Sequence, residues 1–344
     1  MHYQQTDMSE YVGVGVPAYR GAPFIAETLR CIEQQTHRNL DVLISVDGAD
    51  EATAAACASF LKDSRFRMVV QPTQLGWAQN LSWLMRENQC PFWYYHQQDD
   101  LVDPTYVSAL LAHAQANPKA AVTFCDIQCF GDNTSYIAQN SVIGPAALRE
   151  IDLIVAHHPA VALRGLTRQK ALRRTHGLRE NELENFSADT VWMASVARAG
   201  ELHRLPGALY RKRYHSQNVH TKWAQWPLEK RIKAWQVHCR DMFLEASQAE
   251  ATLIDRRLMW SASVSRLVSP STGSGYIPAS TFDGSARLAM FEGFLASLTP
   301  RDVSYAEATL DFSFHQIVEL SRALLGARRR SFMLSLRSLF GDAR

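Results

Sequence analysis

Two adjacent carboxylates, Asp99 and Asp100, lie just beyond a largely apolar run at residues 91–96 that contains four consecutive aromatic side chains, with two glutamines between. Aromatic residues favour strands, so the run predicts a buried strand with both carboxylates at its carboxyl end. In open α/β sheets that end faces the ligand crevice. Paired carboxylates suit a hard divalent cation such as Mg²⁺ or Mn²⁺. Phosphate oxygens of a ligand then complete the coordination shell of the ion. A helix cap before Pro104 is the alternative interpretation.

Length and charge bound the classes of function. The chain has 344 residues, of which 47% are hydrophobic. This length fits one large α/β domain with an appendage, or two domains. With 36 Lys and Arg against 34 Asp and Glu, the formal net charge of +2 gives no overall field that attracts nucleic acid. We therefore expect no nucleic-acid partner, and any anionic ligand must be bound locally.

Cysteine spacing and hydropathy bear on location. Six cysteines are scattered without CxxC spacing, which is typical of reduced thiols in the cytoplasm. No stretch approaches the roughly 18 consecutive apolar residues of a membrane-spanning helix. We predict a cytoplasmic protein that is not integral to a membrane, and leave peripheral attachment to the inner membrane face open.

The elements that must position the carboxylates alternate along the first half of the chain. Strands are predicted at 11–16, 40–46, 66–70, 92–95, 121–127, 160–163 and 208–214. Helices are predicted at 23–35, 52–61, 76–88, 106–116 and 189–199, with turns at 101–104 and 131–134. The second turn suits a hairpin or a mobile surface loop. This alternation predicts parallel βαβ units with right-handed crossovers.

Helical patterns dominate beyond residue 215. They cover 228–246, 249–268, 286–298 and 304–325, with a flexible break at 269–275. We place a domain boundary near residue 220, which divides the chain into residues 1–220 and 221–344.

Five short segments line up in order at the predicted strand ends and helix starts. They are residues 16–21, 45–48, 76–80, 98–100 and 185–189. Together they resemble glycosyltransferase family 2, the inverting nucleotide-sugar transferases with the GT-A fold. The resemblance covers residues 11–215 and leaves the C-terminal part unmatched. It implies an α/β fold of GT-A type, with a doubly wound, mainly parallel sheet and a helical C-terminal region.

The resemblance implies a nucleotide site at the ends of the first strands. Pro17 and Tyr19 would line the base pocket, and Asp47 would accept a hydrogen bond from the base. The implied nucleotide-binding residues are Pro17, Ala18, Tyr19, Asp47, Asn80, Gln98, Asp99 and Arg211. Pro17 and Asp47 are also ordinary turn residues after strands, and that interpretation stays open.

The resemblance also implies a divalent metal, Mn²⁺ or Mg²⁺, with Asp99 and His215 as its protein ligands. The position two before Asp99, often Asp in the family, is Gln97 here, which lowers the charge of the site. Asp100 would support the metal site from behind its ligands, contact the ribose, or cap the helix after Pro104. Arg213 lies near His215 on a basic strand that is either exposed or paired with the diphosphate.

Asp189 matches the family's catalytic base, which would deprotonate the acceptor hydroxyl. The usual preceding acidic residue is Ala188 here, so the match depends on one carboxylate. An Asp favoured by the helix dipole is the alternative. Three acidic residues in the preceding loop are reserve candidates: Glu180, Glu182 and Glu184.

The C-terminal part carries aromatic and basic clusters. Trp223, Trp226 and Trp235 favour packing of one subdomain on another over sugar contact. A basic, apolar segment at 328–340 suits an anionic membrane surface, or a dimer or core helix with its arginines in solvent. His157 and His158 have no matched role.

Combined, these features predict an enzyme of glycan biosynthesis. It would move a sugar from a UDP-, GDP- or dTDP-sugar to a hydroxyl of a glycan, a lipid-linked glycan or a small molecule, with inversion and divalent-metal assistance. The helical part would shape the acceptor side or a homo-oligomer interface. Two alternatives remain: a sugar nucleotidyltransferase, which would usually carry a Gly-rich phosphate loop where Pro17 to Arg20 stand, and a non-catalytic relative that binds nucleotide or glycan.

Overall fold

The computed structural model of the protein describes residues 10–155, 161–216, 218–248, 250, 252–268 and 284–298. The chain forms two compact units that are interleaved along the sequence. The first takes in the described residues of Met1–Ile143, Ala160–Glu180 and Ala199–Ser216, and the second those of Gly144–Pro159, Asn181–Arg198 and Gln217–Arg344. The predicted helix at 304–325, the break at 269–275, the segment at 328–340, His157 and His158 lie outside the described residues.

Within the described residues, nine strands belong to the first unit. They are β1 (Val12–Ala18), β2 (Leu40–Val46), β3 (Phe66–Val70), β4 (Phe92–Tyr95), β5 (Leu101–Val102), β6 (Ala120–Gly131), β7 (Tyr136–Ile137), β8 (Leu166–Arg168) and β9 (Glu201–Tyr214).

The described helices belong to both units. They are α1 (Ile25–Glu33), α2 (Glu51–Cys57), α3 (Trp77–Glu87), α4 (Tyr106–Ala116), α5 (Ala146–Val155), α6 (Gln169–Leu172), α7 (Ala188–Ala199), α8 (Val219–Ala224), α9 (Leu228–Ala246), α10 (Leu253–Val268) and α11 (Gly284–Ala296). Two 3₁₀ helices cover Ala58–Lys62 and Val161–Arg164.

The strands form one mixed sheet with the order β3-β2-β1-β4-β8-β6-β9-β5, and β7 pairs with β6. The pairs β1 with β2, β1 with β4, β2 with β3, and β6 with β9 are parallel. β8 is antiparallel to both β4 and β6, β5 to β9, and β7 to β6. The predicted α/β class and parallel βαβ start are confirmed, and the sheet becomes mixed beyond β4.

Close packing between β1 and its neighbour explains two glycines. A Cβ on Gly15 would lie 2.9 Å from the ring of Trp93, and one on Gly13 would lie 2.1 Å from Oδ1 of Asn88. The buried indole of Trp93, 2% exposed, fills the space that a side chain at Gly15 would need, and the Asn88 side chain fills it at Gly13. The glycines therefore let an indole cover the central strand.

Two local predictions were wrong. The predicted strand at 160–163 is the 3₁₀ helix Val161–Arg164, and the strand β8 begins only after Gly165. A Cβ on Gly165 would lie 2.5 Å from the carbonyl oxygen of Thr123, so the chain turns there against β6. The predicted turn at 101–104 begins with β5, because Leu101 and Val102 pair with β9. The hairpin predicted at 131–134 is confirmed as β6 and β7.

The second unit is helical, as predicted for most of its length. Its buried core is aromatic and aliphatic and includes Phe186, Trp223, Trp235, Phe243, Trp260 and Phe294. Phe186 contacts Trp223 with ring centroids 4.9 Å apart. Two of the three clustered tryptophans are therefore buried core residues within this unit, and Trp226 packs against them. None of the helices in the described part of the chain combines the length and apolar composition needed to span a bilayer.

The second unit also buries an acidic side chain. Glu150 on α5 is fully buried, and neither of its carboxyl oxygens has a hydrogen-bond partner among the described residues. Burial raises the pKa of Glu150 well above its usual value, although Arg198 nearby acts in the opposite direction. The folded protein therefore keeps this carboxyl protonated at pH values where the unfolded chain ionises it.

Glu150→Met should raise the free energy of unfolding by about 1 to 3 kcal/mol near neutral pH, because an unpartnered polar group leaves the core. A carboxyl with a raised pKa in the folded state contributes stability below its unfolded pKa and loses it as pH rises. The gain should therefore be larger at pH 8 than at pH 5. Urea unfolding at both pH values measures it, with the exposed Glu229→Met on α9 as control; a gain that does not vary with pH would contradict the buried, protonated carboxyl.

Candidate active site

The ends of the first parallel strands meet at one edge of the sheet. β1 and β4 pair in parallel up to Gly15 and Tyr95, and the amide of His96 continues the ladder to the carbonyl of Gly15 at 2.9 Å. The amide of Asp47 donates to the carbonyl of Ala18 at 2.8 Å. The segments after β1, β2 and β4 are therefore neighbours, as parallel pairing predicts.

Asp99 and His215 lie together at this edge. Nε2 of His215 is 2.7 Å from Oδ2 of Asp99, and the two side chains are 19% and 13% exposed. The ring of His215 also packs on Phe24, with centroids 4.7 Å apart. The two predicted metal ligands, 116 positions apart in the chain, are thus brought within one hydrogen bond of each other.

Asp100 points inward and is fully buried. Its Oδ2 accepts a hydrogen bond from the Tyr210 hydroxyl at 2.8 Å, and its Oδ1 accepts one from the Arg213 amide at 2.7 Å. Nε of Arg164 lies 3.5 Å from Oδ2. Burial and the charge of Asp99 raise the pKa of Asp100 to about 6, against the opposing effect of Arg164. Asp100 therefore ties the segment between β4 and β5 to β9. It supports this segment from the interior and is neither exposed to a ribose nor a helix cap.

Arg164 and Gln97 are hydrogen-bonded to each other. The guanidinium of Arg164, on a buried residue, donates to Oε1 of Gln97 at 2.8 Å. Gln97 therefore faces the cation of Arg164. Sequence reasoning overlooked Arg164, since it follows a predicted strand without any motif of its own.

Arg213 is a half-buried cation next to Asp99. Its Nε donates to the main-chain carbonyl of Asp99 at 2.9 Å, and its Nη2 lies 2.5 Å from Oε2 of Glu27. The guanidinium also stacks over the ring of Phe130, with 4.5 Å to the centroid. Arg211 is exposed and lies over the same ring at 4.8 Å. Arg213, rather than Arg211, therefore holds a charge directly beside Asp99.

Two predicted nucleotide-binding residues also serve the fold. Both carboxyl oxygens of Asp47 accept backbone hydrogen bonds, from Leu75 at 2.6 Å and Gly76 at 2.9 Å, at the start of α3. Asn80 is 2% exposed, and its amide bonds the hydroxyl and the carbonyl of Ser45. The structure thus places Asp47 and Asn80 where they join α3 to β2, and their contact with a base stays a prediction.

Tyr19 and its neighbours form the outer part of this edge. The Tyr19 side chain is 37% exposed, Pro17 is half-buried and Ala18 is buried. Gln98 bonds the backbone of Tyr19 at both ends of its amide, each at 2.8 Å. The exposed tyrosine ring is the one large surface that the predicted nucleotide residues of the first unit offer to a base.

Asp189 lies in the second unit, at the second position of α7. It is half-buried, and its Oδ1 accepts a hydrogen bond from the Thr190 amide at 2.9 Å. The loop before it contains three non-glycine residues with positive φ, namely Glu184, Asn185 and Ser187. The Asn181 side chain accepts a hydrogen bond from the Leu183 amide and donates one to the Phe186 carbonyl. These two bonds hold the unfavourable backbone of the loop in place.

The reserve acidic residues are engaged in surface contacts. Glu180 accepts a hydrogen bond from Gln79 at 2.6 Å, Glu184 pairs with Lys230, and Glu182 lies 3.4 Å from Arg240. A backbone hydrogen bond and then Arg240 lower the pKa of Glu182. A lowered pKa makes Glu182 a weaker general base.

The donor set at the edge of the sheet fits a divalent cation with few protein ligands. Among the described residues no three His, Cys, Asp or Glu side chains form a group that could hold a metal. Asp99 and His215 supply one carboxylate and one imidazole. Mg²⁺ and similar ions are commonly bound by one or two protein ligands together with substrate phosphates. The residues present therefore fit an ion bound together with a diphosphate rather than a site built only from protein groups.

Comparison with known proteins finds similarity to glycosyltransferases. Residues 13–174, just under half of the chain, match the model of glycosyl transferase family 2. Over these residues the chain is similar to a family 2 glycosyltransferase domain. An uncharacterized glycosyltransferase of Haemophilus influenzae is 21% identical over 215 residues, which cover 60% of this chain and 67% of that protein. Glycosyltransferase GlyG of Streptococcus pneumoniae is 26% identical over 109 residues, 31% of this chain and 36% of GlyG.

Solved glycosyltransferases share the fold. The crystal structure of S. aureus TarS 1–349 in complex with UDP-GlcNAc has a TM-score of 0.62 at 12% identity, and the match covers 93% of this chain and 92% of that one. Mannosyltransferase PcManGT of Pyrobaculum calidifontis, in complex with GDP-Man and Mn²⁺, has a TM-score of 0.52 at 16% identity, with 92% and 85% covered. These structures confirm the predicted α/β fold of GT-A type. The glycosyltransferase class is confirmed by the family match together with the curated relative.

The buried ion pair generates the first test of the site. Arg164→Met should lower the free energy of unfolding by about 3 kcal/mol at pH 8, since removing one partner leaves the Asp100 carboxylate buried without its counter-charge. The loss should be smaller at pH 5, because the raised pKa of Asp100 lets it take a proton there.

Urea unfolding at pH 5 and pH 8 measures this difference. Arg67→Met is the matched control, since Arg67 pairs with Asp41 at 2.9 Å but is 50% exposed. That variant should cost about 0 to 1 kcal/mol at both pH values. Equal losses for Arg164→Met at the two pH values would show that Arg164 does not act as the counter-charge of Asp100.

Proposed function

We propose that the protein transfers a sugar from a nucleotide diphosphate sugar to an acceptor hydroxyl, with inversion and with divalent-metal assistance. The observation that carries the proposal is the Asp99–His215 pair at 2.7 Å, next to Arg213 and on the same sheet edge as Tyr19. TarS and PcManGT, which share this fold, are described with UDP-GlcNAc and with GDP-Man and Mn²⁺. Their donors support a nucleotide sugar as the donor here.

The donor's diphosphate is the group that the sheet edge would bind. Arg213 carries a permanent positive charge beside Asp99 and pairs with Glu27, which is 54% exposed. A guanidinium suits diphosphate oxygens, because its fixed N–H fork matches their geometry. A Mn²⁺ or Mg²⁺ ion held by Asp99 and His215 would neutralise charge on the leaving nucleoside diphosphate. Arg213 would add to that stabilisation from the protein.

The acceptor hydroxyl would lose its proton to the Asp189 carboxylate. Its oxygen attacks the anomeric carbon while the bond from that carbon to the diphosphate oxygen breaks, and the nucleoside diphosphate leaves with the bonding electrons. One displacement from the opposite face inverts the anomeric configuration. We propose a hydroxyl of a glycan, a lipid-linked glycan or a small molecule as acceptor, and the cytoplasm as the location.

Metal dependence tests the donor site. UDP or GDP should raise the melting temperature more with Mn²⁺ than with chelator, since a ligand that binds only the folded state stabilises it more when it binds more tightly. Asp99→Ala and His215→Ala should each remove the additional shift, measured against the same variant without nucleotide.

A second histidine provides the matched control for this test. His203 pairs with Glu201 at 2.8 Å near the start of β9. It makes the same kind of histidine–carboxylate contact as His215 with Asp99, but away from the proposed site. His203→Ala should retain the Mn²⁺-dependent shift. If wild-type protein shows the same shift with chelator as with Mn²⁺, Asp99 and His215 are not metal ligands.

The base is tested separately from the donor site. Asp189→Asn should lower kcat by about 10²- to 10⁴-fold, the usual contribution of a general base. The affinity for the donor should be unchanged, because the carboxylate acts on the acceptor. Turnover and calorimetric donor binding measure the two effects, with the exposed Asp132→Asn as control. Retained turnover in Asp189→Asn would remove Asp189 from the mechanism.

A further inference from the structure

The side-chain amide of Gln98 is bonded to the backbone of Tyr19 at both ends. The Tyr19 amide donates to Oε1 of Gln98 at 2.8 Å, and Nε2 of Gln98 donates to the Tyr19 carbonyl at 2.8 Å. The two residues are 79 positions apart in the chain. The side chain thus makes the same pair of hydrogen bonds that a neighbouring strand would make. It keeps the chain after β1 next to the chain after β4, beyond the last residues of both strands.

The turn that follows Tyr19 has an unfavourable backbone conformation. Arg20 has φ of 51°, the left-handed region that non-glycine residues rarely adopt. Its amide donates to Oδ2 of Asp50 at 2.5 Å, and the Gly21 amide donates to the Thr53 hydroxyl at 2.9 Å. Such conformations persist only where surrounding groups hold them. Gln98 therefore completes a set of side chains that bind three consecutive backbone amides.

Gly21 leaves the space that Gln98 occupies. A Cβ at this position would lie 2.2 Å from Oε1 and 2.8 Å from Cδ of Gln98, and the third nearest atom also belongs to Gln98. Any side chain at position 21 would therefore displace the glutamine amide from Tyr19. The glycine and the glutamine depend on each other in a way that a double substitution can measure.

The contact fixes the backbone of an exposed aromatic residue. The Tyr19 ring is 37% exposed, and the guanidinium of Arg20 lies 5.1 Å from its centroid. A ring held in place before binding loses less conformational freedom when a flat ligand stacks on it. On the main chain Gln98 is also bonded directly to Asp99.

We propose that Gln98 is a positioning residue for nucleoside recognition, which it serves by holding Tyr19 through the backbone rather than by touching the nucleotide. This inference depends on the proposed function, because it assigns the nucleoside end of the donor to Tyr19. It replaces the expectation that Gln98 is itself a nucleotide ligand. It also separates two tasks of neighbouring residues, since Gln98 would serve the base and Asp99 the diphosphate.

Gln98→Met keeps the size of the side chain and removes both hydrogen bonds. Affinity for UDP or GDP, whichever wild-type protein binds more tightly, should fall about tenfold in calorimetry with Mn²⁺, in line with the loss of two ordinary hydrogen bonds. Affinity for pyrophosphate with Mn²⁺ should not change, because pyrophosphate has no base. Hydrogen exchange should become faster at the amides of residues 19–21. A merely structural role would weaken both ligands together.

Two further variants sharpen the test. Gln79→Met is the control, since Gln79 donates one exposed hydrogen bond to Glu180 and should leave both affinities unchanged. Gly21→Ala should reproduce the Gln98→Met defect in nucleotide binding. The double variant should be no worse than either single one, because contacting residues are not additive and the displaced group is already gone.

The outcomes separate this inference from the proposed function. Wild-type protein that binds UDP and GDP no more tightly than pyrophosphate would overturn both. Wild-type protein that prefers a nucleotide, with the preference retained in Gln98→Met, would overturn the role of Gln98 alone. Additive losses in the Gly21 and Gln98 variants would likewise show that the two positions act independently and contradict the inference.

Discussion

The buried carboxylate of Asp100 is the constraint on which the site depends. A charge at the end of a core strand is costly unless several donors reach it. Here the donors are the hydroxyl of Tyr210, the amide of Arg213 and the guanidinium of Arg164. Because two of them belong to β9, satisfying this one carboxylate joins the end of β9 to the end of β4.

The geometry of the exposed groups follows from this inward contact. β9 carries Arg213 and leads to His215, so the strand that donates to Asp100 also brings a guanidinium and an imidazole beside Asp99. Asp99 lies in a turn, in which the Asp100 amide donates to the carbonyl of Gln97 at 3.3 Å. The two neighbouring carboxylates therefore have different surroundings. Asp99 faces the proposed donor site, and Asp100 binds the strand that carries Arg213.

Several polar residues at the sheet edge support others instead of facing a ligand. Asp47 accepts two backbone amides at the start of α3, Asn80 bonds Ser45 inside the core, and Gln98 bonds Tyr19. Polar groups that become buried need partners, and at strand ends the nearest partners are the unpaired backbone groups of neighbouring segments. A motif at a strand end can thus be required by the architecture that surrounds a ligand as well as by the ligand.

The sequence alone determined the local features. Aromatic and β-branched runs predicted β1 to β4, the pattern of α9 predicted both of its ends, and parallel βαβ units required the motifs after β1, β2 and β4 to share one edge. These properties depend on a residue and its near neighbours, so they can be read from spacing. Glycines at 13 and 15 were also visible, although their partner Trp93 was not.

Only the tertiary structure decided which distant groups meet. Nothing in the spacing indicates that Arg164 faces Gln97 or that Glu27 pairs with Arg213. The resemblance placed His215 and Asp99 at one metal, but their direct contact also depends on the fold. Those contacts join residues from 67 to 186 positions apart, and they exist because a buried or half-buried charge must find its partner in three dimensions. The insertion of β8 between β4 and β6, with Arg164 just before it, likewise depends on sheet packing and not on local propensity.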